Sequence, residues 1–437
     1  MRRPERVGIA VVIVAKLVTV VPCRATTRHV PAEFSTINGA LDASAFGDTV
    51  LVAAGVYSDV ETRDVGLGFP YTSCAFLKDG VVLRSVSGPA VTTIDMMHAP
   101  GPQPDVIIAF FLDSDATAVE GFTITGVTTA GHGAAVFFSN KVTFENCVFR
   151  DMDAGESTGA GIACEGDLAI INCEFVNCVA EAGGAIIHSG GHLELAGTTI
   201  RSCGNKGAYL LGIAGGESES AVIGGCTFLN NWSDNNSGAL HISGYDAGAT
   251  VIGCHFEGNT GDNDAGAIGW GNEGAKTIEN CLFVNNGAVG PNAEGGAITI
   301  SGSGTCIIRG NTFYGNYQAD GTFGGATLEI LTPTVFERNI ISHSSGGTAI
   351  ASSGPLGSSC NVYWMNAQGI GVPLSNTDLE ADPLFCSPEV GDFTVQTDSP
   401  CVEPQSGTCG QIGAFPASCG TVAVERVSWG QIKALYR

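Results

Sequence analysis

Apolar and polar positions alternate along this chain in short bursts, and glycine-rich corners separate the bursts. Ala297-Ile298-Thr299-Ile300 is one such burst. Side chains two residues apart share one face of a strand, so the pattern predicts short strands. No helical pattern of about ten residues comes between them, which excludes a leucine-rich or helical repeat. One short exception lies near the start. In Ser35-Thr36-Ile37-Asn38-Gly39-Ala40-Leu41-Asp42-Ala43 the apolar residues at 37, 40 and 41 predict a short amphipathic helix. Thr49-Val50-Leu51-Val52 follows as a strand, so the helix would block the open sheet edge at that end.

The bursts are locked to a repeating phrase. Asn146-Cys147-Val148-Phe149, Asn172-Cys173-Glu174-Phe175, Gly225-Cys226-Thr227-Phe228, Gly253-Cys254-His255-Phe256 and Asn280-Cys281-Leu282-Phe283 hold it with a cysteine. Gly197-Thr198-Thr199-Ile200, Gly310-Asn311-Thr312-Phe313 and Arg338-Asn339-Ile340-Ile341 hold the same slot without one. The intervals at the cysteine slot are 26, 25, 28, 28, 27, 30 and 28 residues. A second phrase keeps the same phase, as in Gly183-Gly184-Ala185-Ile186, Ser237-Gly238-Ala239-Leu240, Ala265-Gly266-Ala267-Ile268, Gly295-Gly296-Ala297-Ile298 and Gly324-Gly325-Ala326-Thr327. A period in this range marks a solenoid, in which each turn buries its apolar face only by stacking on the next.

Stacked turns bring like residues into files. Cys147, Cys173, Cys226, Cys254 and Cys281 are expected as an inward column of small buried side chains, not a tetrahedral metal site. Asn231, Asn259, Asn286 and Asn316 are expected to bond amide to amide from turn to turn. Cys178 and Cys203 would stack or form a disulfide. Cys360, Cys386, Cys401, Cys409 and Cys419 crowd the far end and are disulfide candidates there. Four regions follow: an export signal over 1–25, the solenoid over 26–350, terminal turns with a Cys/Pro-rich end over 351–420, and a tail over 421–437.

Composition narrows the partners. The chain of 437 residues carries a net charge of −24 and 62 glycines. That acidity excludes nucleic acid and anionic membrane surfaces, and it opposes polyanionic sugars unless a divalent cation intervenes. At the start, Arg2, Arg3 and Arg6 precede an apolar run from Val7 to Val21, with Cys23-Arg24-Ala25 at the cleavage positions. Cleavage after Ala25 would remove five basic residues and one acidic one, leaving −28. No later apolar run has the length of a transmembrane helix.

Two resemblances follow from these residues. Thr36-Ile37-Asn38-Gly39-Ala40-Leu41-Asp42-Ala43, with Gly47-Asp48-Thr49-Val50-Leu51-Val52 and Gly55-Val56-Tyr57, resembles the opening of bacterial right-handed parallel β-helix proteins of the pectin-lyase-like class. The Gly-Gly-Ala-Ile phrase with Phe-x-x-Asn, carried by Phe228/Asn231, Phe256/Asn259, Phe283/Asn286 and Phe313/Asn316, resembles the repeat of chlamydial-type polymorphic outer-membrane proteins. The first implies an all-β, single-stranded right-handed parallel β-helix, here of about ten to eleven rungs and ~50 Å, with the short helix as its cap. The second implies a surface adhesin. Polygalacturonases of the first class would imply paired aspartates, Gly-His-Gly and a late Arg-x-Lys. Gly131-His132-Gly133 is present without Asp-Asp one turn earlier, and it reads as a corner.

Chemistry is thinner. Acidic residues recur in the loops that lead into the Gly-Ala phrase: Asp151, Asp153, Glu156, Glu181, Asp234, Asp262, Asp264, Glu294 and Asp320. Stacking would align them along one edge, where a calcium ion with oxygen ligands would relieve their repulsion, and Asp234, Asp262 and Asp264 are the residues chosen for that site. Two carboxylates at the right separation could instead serve acid/base glycoside hydrolysis. Solvated turns that keep a sheet-rich protein soluble are the plainest account. Trp232, Tyr245, Trp270, Tyr314 and Tyr317 could stack on sugar rings. The expectation is a monomeric protein of the bacterial cell envelope or medium that binds a polysaccharide or a host-cell glycan without catalysis. The alternative is a polysaccharide lyase or glycoside hydrolase of the pectin-lyase-like class. Two convergent carboxylates beside an Arg, Lys or His would favour the enzyme.

Overall fold

A computed structural model describes residues 25–64, 70–96, 105–110, 116–126, 135–138, 141–156, 159–206, 211–215, 220–244, 248–271, 273–291, 293–319 and 325–419. The expected export signal through residue 24 and the 421–437 tail lie outside the described residues.

The alternating bursts form three long parallel sheets around one core. One turn shows the plan. Gly248–Ile252 belongs to the first sheet, His255–Glu257 and Thr260–Gly261 to the second, and Ile268–Gly271 to the third. Lys276–Glu279 then returns to the first sheet, one level up. Neighbouring turns pair in register, with Val251 on Ile278, Phe256 on Phe283 and Ile268 on Ile298. The first sheet holds 13 strands, from Thr27–Val30 to Leu356–Ser359, and the third holds 12, from Glu61–Asp64 to Thr348–Ser352. Thirteen strands at the interstrand spacing make a solenoid of about 58 Å. That exceeds the ten to eleven rungs expected, because the first and last levels have strands without the repeating phrases. Among the described strands, only Glu61–Asp64 with Pro70–Phe76 and Phe385–Ser387 with Asp392–Val395 pair antiparallel.

Vertical files fill the interior. Ile223, Val251, Ile278, Ile308 and Phe336 stack in the first sheet, all fully buried. Phe228, Phe256, Phe283 and Phe313 stack ring on ring in the second, with centroids 4.6–4.8 Å apart. The cysteine column is inward and made of free thiols. Its sulfurs accept backbone bonds from the turn before: the N–H of Cys226 donates to Cys254 Sγ, and that of Cys254 to Cys281 Sγ, each at 3.4 Å. Asn311, Asn339 and Asn361 continue this column, and the Asp378 carboxylate ends it by accepting from the N–H and Nδ2 of Asn361.

The asparagine ladder runs along the next corner. Nδ2 of Asn231 donates to Asn259 Oδ1 and Nδ2 of Asn259 to Asn286 Oδ1, both at 2.9 Å, and Asn286 reaches Asn316 at 3.0 Å. Cys178 and Cys203 precede them in the same file as free, stacked thiols, with the Cys178 N–H on Cys203 Sγ.

A helix covers the first turns, and a returning segment packs on the side of the last ones. The helix Ile37–Ala43 is N-capped by Thr36, whose hydroxyl accepts from the Gly39 N–H at 3.0 Å, and it buries Ile37, Ala40 and Leu41. Its buried Asn38 donates to the Ser73 carbonyl and accepts from the Phe76 N–H, so the helix satisfies backbone groups of an adjoining strand. At the other end, residues after 385 fold back along the second sheet. Phe393 packs with Leu282 and Val284, and the Ala414 N–H donates to Thr312 Oγ1. Disulfides Cys360–Cys409 and Cys386–Cys419 hold this segment, while Cys401 is free and buried.

Candidate functional site

On the third sheet one outward file matters most. His241, Gly269, Thr299 and Glu329 lie in register on successive turns. They face outward because their neighbours on each strand, Leu240 and Ile242 through Leu328 and Ile330, are fully buried inside. The register corrects one expected alignment. Leu328, not Thr327, takes the inward slot matching Ile298, and the ladder with the following strand shifts between Gly325 and Leu328. The unshifted ladder with the preceding strand sets Glu329 directly beside Thr299.

The acidic corner meets this file from the side. The Glu294 N–H donates to the Asp264 carbonyl at 3.0 Å, so the two acids occupy stacked corners. Asp264 turns its carboxylate onto the file: Oδ2 accepts from Ser237 Oγ at 2.8 Å and lies 3.4 Å from His241 Nδ1. Gly269 makes room, since a Cβ there would collide with the Asp264 carboxylate and the Ser237 hydroxyl. The Asp264 and His241 side chains keep 19% and 13% of their surface exposed, enough for contact with a ligand.

Crowding of like charges shapes the electrostatics. Burial, and then the charge of Asp264, push the Glu294 carboxyl above the usual carboxylate range. Burial, and then the charge of Glu294, push Glu329 the same way, and its Oε2 is buried without a hydrogen-bond partner. Among the described residues no lysine or arginine forms an ion pair with Asp264, Glu294 or Glu329. Two carboxyls held toward their protonated form, Glu294 and Glu329, thus lie on the same partly exposed face as the Asp264–His241 pair.

The residues chosen from the sequence are placed differently. Asp234 is exposed, Asp262 is half-buried on the next turn, and Asp264 is engaged by Ser237 and His241. Among the described residues no three His, Cys, Asp or Glu side chains converge as a metal ion would need. Asp264 and Glu294 were visible in the sequence as acidic corners. His241 and Glu329 were missed, although each lies just past the inward apolar residue of the Gly-Ala phrase, and that phase was the available signal. Trp270 is buried, not exposed as a sugar platform would be. Gly131-His132-Gly133, Tyr245 and Asp320 lie outside the described residues.

Comparison with known proteins adds the family. No curated protein matches the chain. Among solved structures, the A-module of the Azotobacter vinelandii mannuronan C-5 epimerase AlgE4 is similar at 15% identity, over 79% of this chain and 95% of that one, with a TM-score of 0.33. The catalytic domain of a GH87 alpha-1,3-glucanase in complex with tetrasaccharides is similar at 13% identity, over 82% of this chain and 70% of that one, with a TM-score of 0.37. The family described as the right handed beta helix region matches residues 108–262 and 238–380. These segments cover more than half of the chain and coincide with the stacked parallel turns, so this protein belongs to the right-handed β-helix family.

Proposed function

We propose that this protein is a glycoside hydrolase acting on a neutral polysaccharide, with Asp264, Glu294 and Glu329 as its acid–base carboxylates. The observation that carries the reading is the run of acids along this face: Asp264, steered by Ser237 and His241, lies one corner from Glu294, whose charge in turn reaches Glu329. Glu329, held toward its protonated form, is the proton donor to the leaving glycosidic oxygen. Asp264, fixed in direction by its two partners, activates the attacking water. Glu294 occupies the corner stacked on Asp264, and its charge helps to hold Glu329 protonated.

The substrate class follows from charge. A polyuronate would meet three carboxylates and no paired cation, in a chain of net charge −24, so a neutral glycan is favoured. Basic residues followed by an apolar run at the start, together with two disulfides, support export to the envelope or surroundings of a bacterial cell. The Gly-Gly-Ala-Ile and Phe-x-x-Asn phrases support kinship with the polymorphic surface-protein repeat. A second reading, glycan binding or adhesion without catalysis, draws on the partly exposed rings of Trp232 and Tyr317.

Release of reducing ends by the purified protein, from neutral and from polyanionic polysaccharides, tests the proposal. The expected result is release from a neutral glycan, unaffected by EDTA and abolished by Glu329→Gln and Asp264→Asn. Calcium-dependent release from polyuronates alone would overturn it, and so would no release from any of them. A calcium-induced rise in Tm that Asp262→Asn removes would support the cation site at Asp234, Asp262 and Asp264.

A further inference from the structure

The second sheet carries a band with no charge. Following the file that contains Trp232 and Tyr317, five consecutive turns contribute Gly204, Trp232, Thr260, Gly287 and Tyr317 in register. The four residues spanning each position are uncharged, with Lys206, Asp234 and Asp262 bordering the strip: Ser202-Cys203-Gly204-Asn205, Asn230-Asn231-Trp232-Ser233, Gly258-Asn259-Thr260-Gly261, Asn285-Asn286-Gly287-Ala288 and Gly315-Asn316-Tyr317-Gln318. In a chain of net charge −24, such a strip marks a surface suited to an uncharged ligand.

Glycine gives the two aromatic rings their place. A Cβ on Gly204 would fall among the indole atoms of Trp232, and a Cβ on Gly287 would fall among the ring atoms of Tyr317. Each ring therefore leans onto the bare backbone of the turn before it and stays partly exposed. Rings held this way lose little freedom when a ligand stacks on them. They stand three turns apart, about 14 Å at the interstrand spacing. Asn230 and Asn285, exposed beside the strip, offer amides to hydroxyl groups.

We propose that this strip is a binding platform for an extended neutral glycan lying along the solenoid axis, with sugar rings stacked on Trp232 and Tyr317. One sugar advances such a chain by roughly the rise of one turn, so rings three residues apart would meet the two aromatics together. An apolar peptide would want a continuous hydrophobic groove, whereas Thr260 and the flanking amides suit polyhydroxylated faces. The platform shares only its ligand class with the hydrolase reading, and it uses none of Asp264, Glu294 or Glu329.

Calorimetric titration of the full chain with neutral oligosaccharides (linear β-glucan, α-glucan, mannan and xylan hexamers) tests the platform. At least one hexamer should bind, with affinity falling about tenfold or more in Trp232→Ala and in Tyr317→Ala. Trp232→Phe, which keeps a ring, should restore part of that affinity, and its Tm would report any loss of fold. Unchanged affinity in both alanine variants, or no binding of any hexamer by the wild type, would overturn the platform. Binding without product release would sink the hydrolase reading and leave the platform standing.

Discussion

The carboxylate of Asp264 occupies the space that a side chain on Gly269 would fill. Asp264 reaches Ser237 and His241 only through that gap. Gly269→Ala should therefore displace the carboxylate while leaving the strand ladder intact, because the group that must move is the far end of a side chain. Turnover should fall about 10- to 100-fold with an unchanged circular dichroism spectrum. Wild-type turnover in this variant would show that the position of Asp264 does not matter.

The raised carboxyls make stability depend on pH with a definite sign. A carboxyl whose folded pKa lies above its unfolded value stabilises the fold while protonated, and this contribution is lost as pH rises through the folded pKa. Glu329 and Glu294 both have this direction. Glu329→Gln should thus raise Tm at neutral pH and have little effect below the ordinary carboxylate range. Thermal melts across that span check it, and a variant less stable than wild type at neutral pH would contradict it.

The asparagine ladder should be costly to interrupt. Asn259 is fully buried, accepts from the N–H and Nδ2 of Asn231, and donates to the Phe228 carbonyl and to Asn286. Asn259→Ala strands several of these groups at once, at roughly 1–3 kcal/mol for each left unsatisfied. Urea unfolding should show a loss of about 3 kcal/mol or more. The exposed neighbour Asn263→Ala should stay within about 0.5 kcal/mol of wild type.

The folded-back end depends on its covalent tie. Cys409 joins Cys360 across 49 residues, and the segment between them covers Leu282 and Val284. Cys409→Ser should lower Tm and open the region after residue 385 to limited proteolysis, while the earlier turns stay resistant. Under native conditions the column thiols should resist alkylation, since burial raises Cys226 and Cys281 well above the ordinary thiol range. Rapid labelling of those cysteines would mean the column is not closed.

Local pattern determined much of this protein by itself. Strict alternation with inward Ile298 and Ile300 fixed strands, and a constant period at the cysteine slot fixed stacking. Stacking in turn made the files of Cys226, Cys254 and Cys281 and of Asn231 through Asn316 predictable, because like residues one period apart must meet. The helix at Ile37 was legible from its own apolar spacing.

What the tertiary structure alone decided lies between turns and at their irregularities. Leu328, not Thr327, holds the slot of Ile298 and so puts Glu329 on the file of His241, and a missing side chain at Gly269 lets Asp264 turn its carboxylate onto that file. The return of the Phe393 segment onto Leu282 likewise has no periodic signal. A repeat specifies which residues share a file. Charge coupling and access depend instead on distances across files, and those are set by packing of parts that the period does not describe.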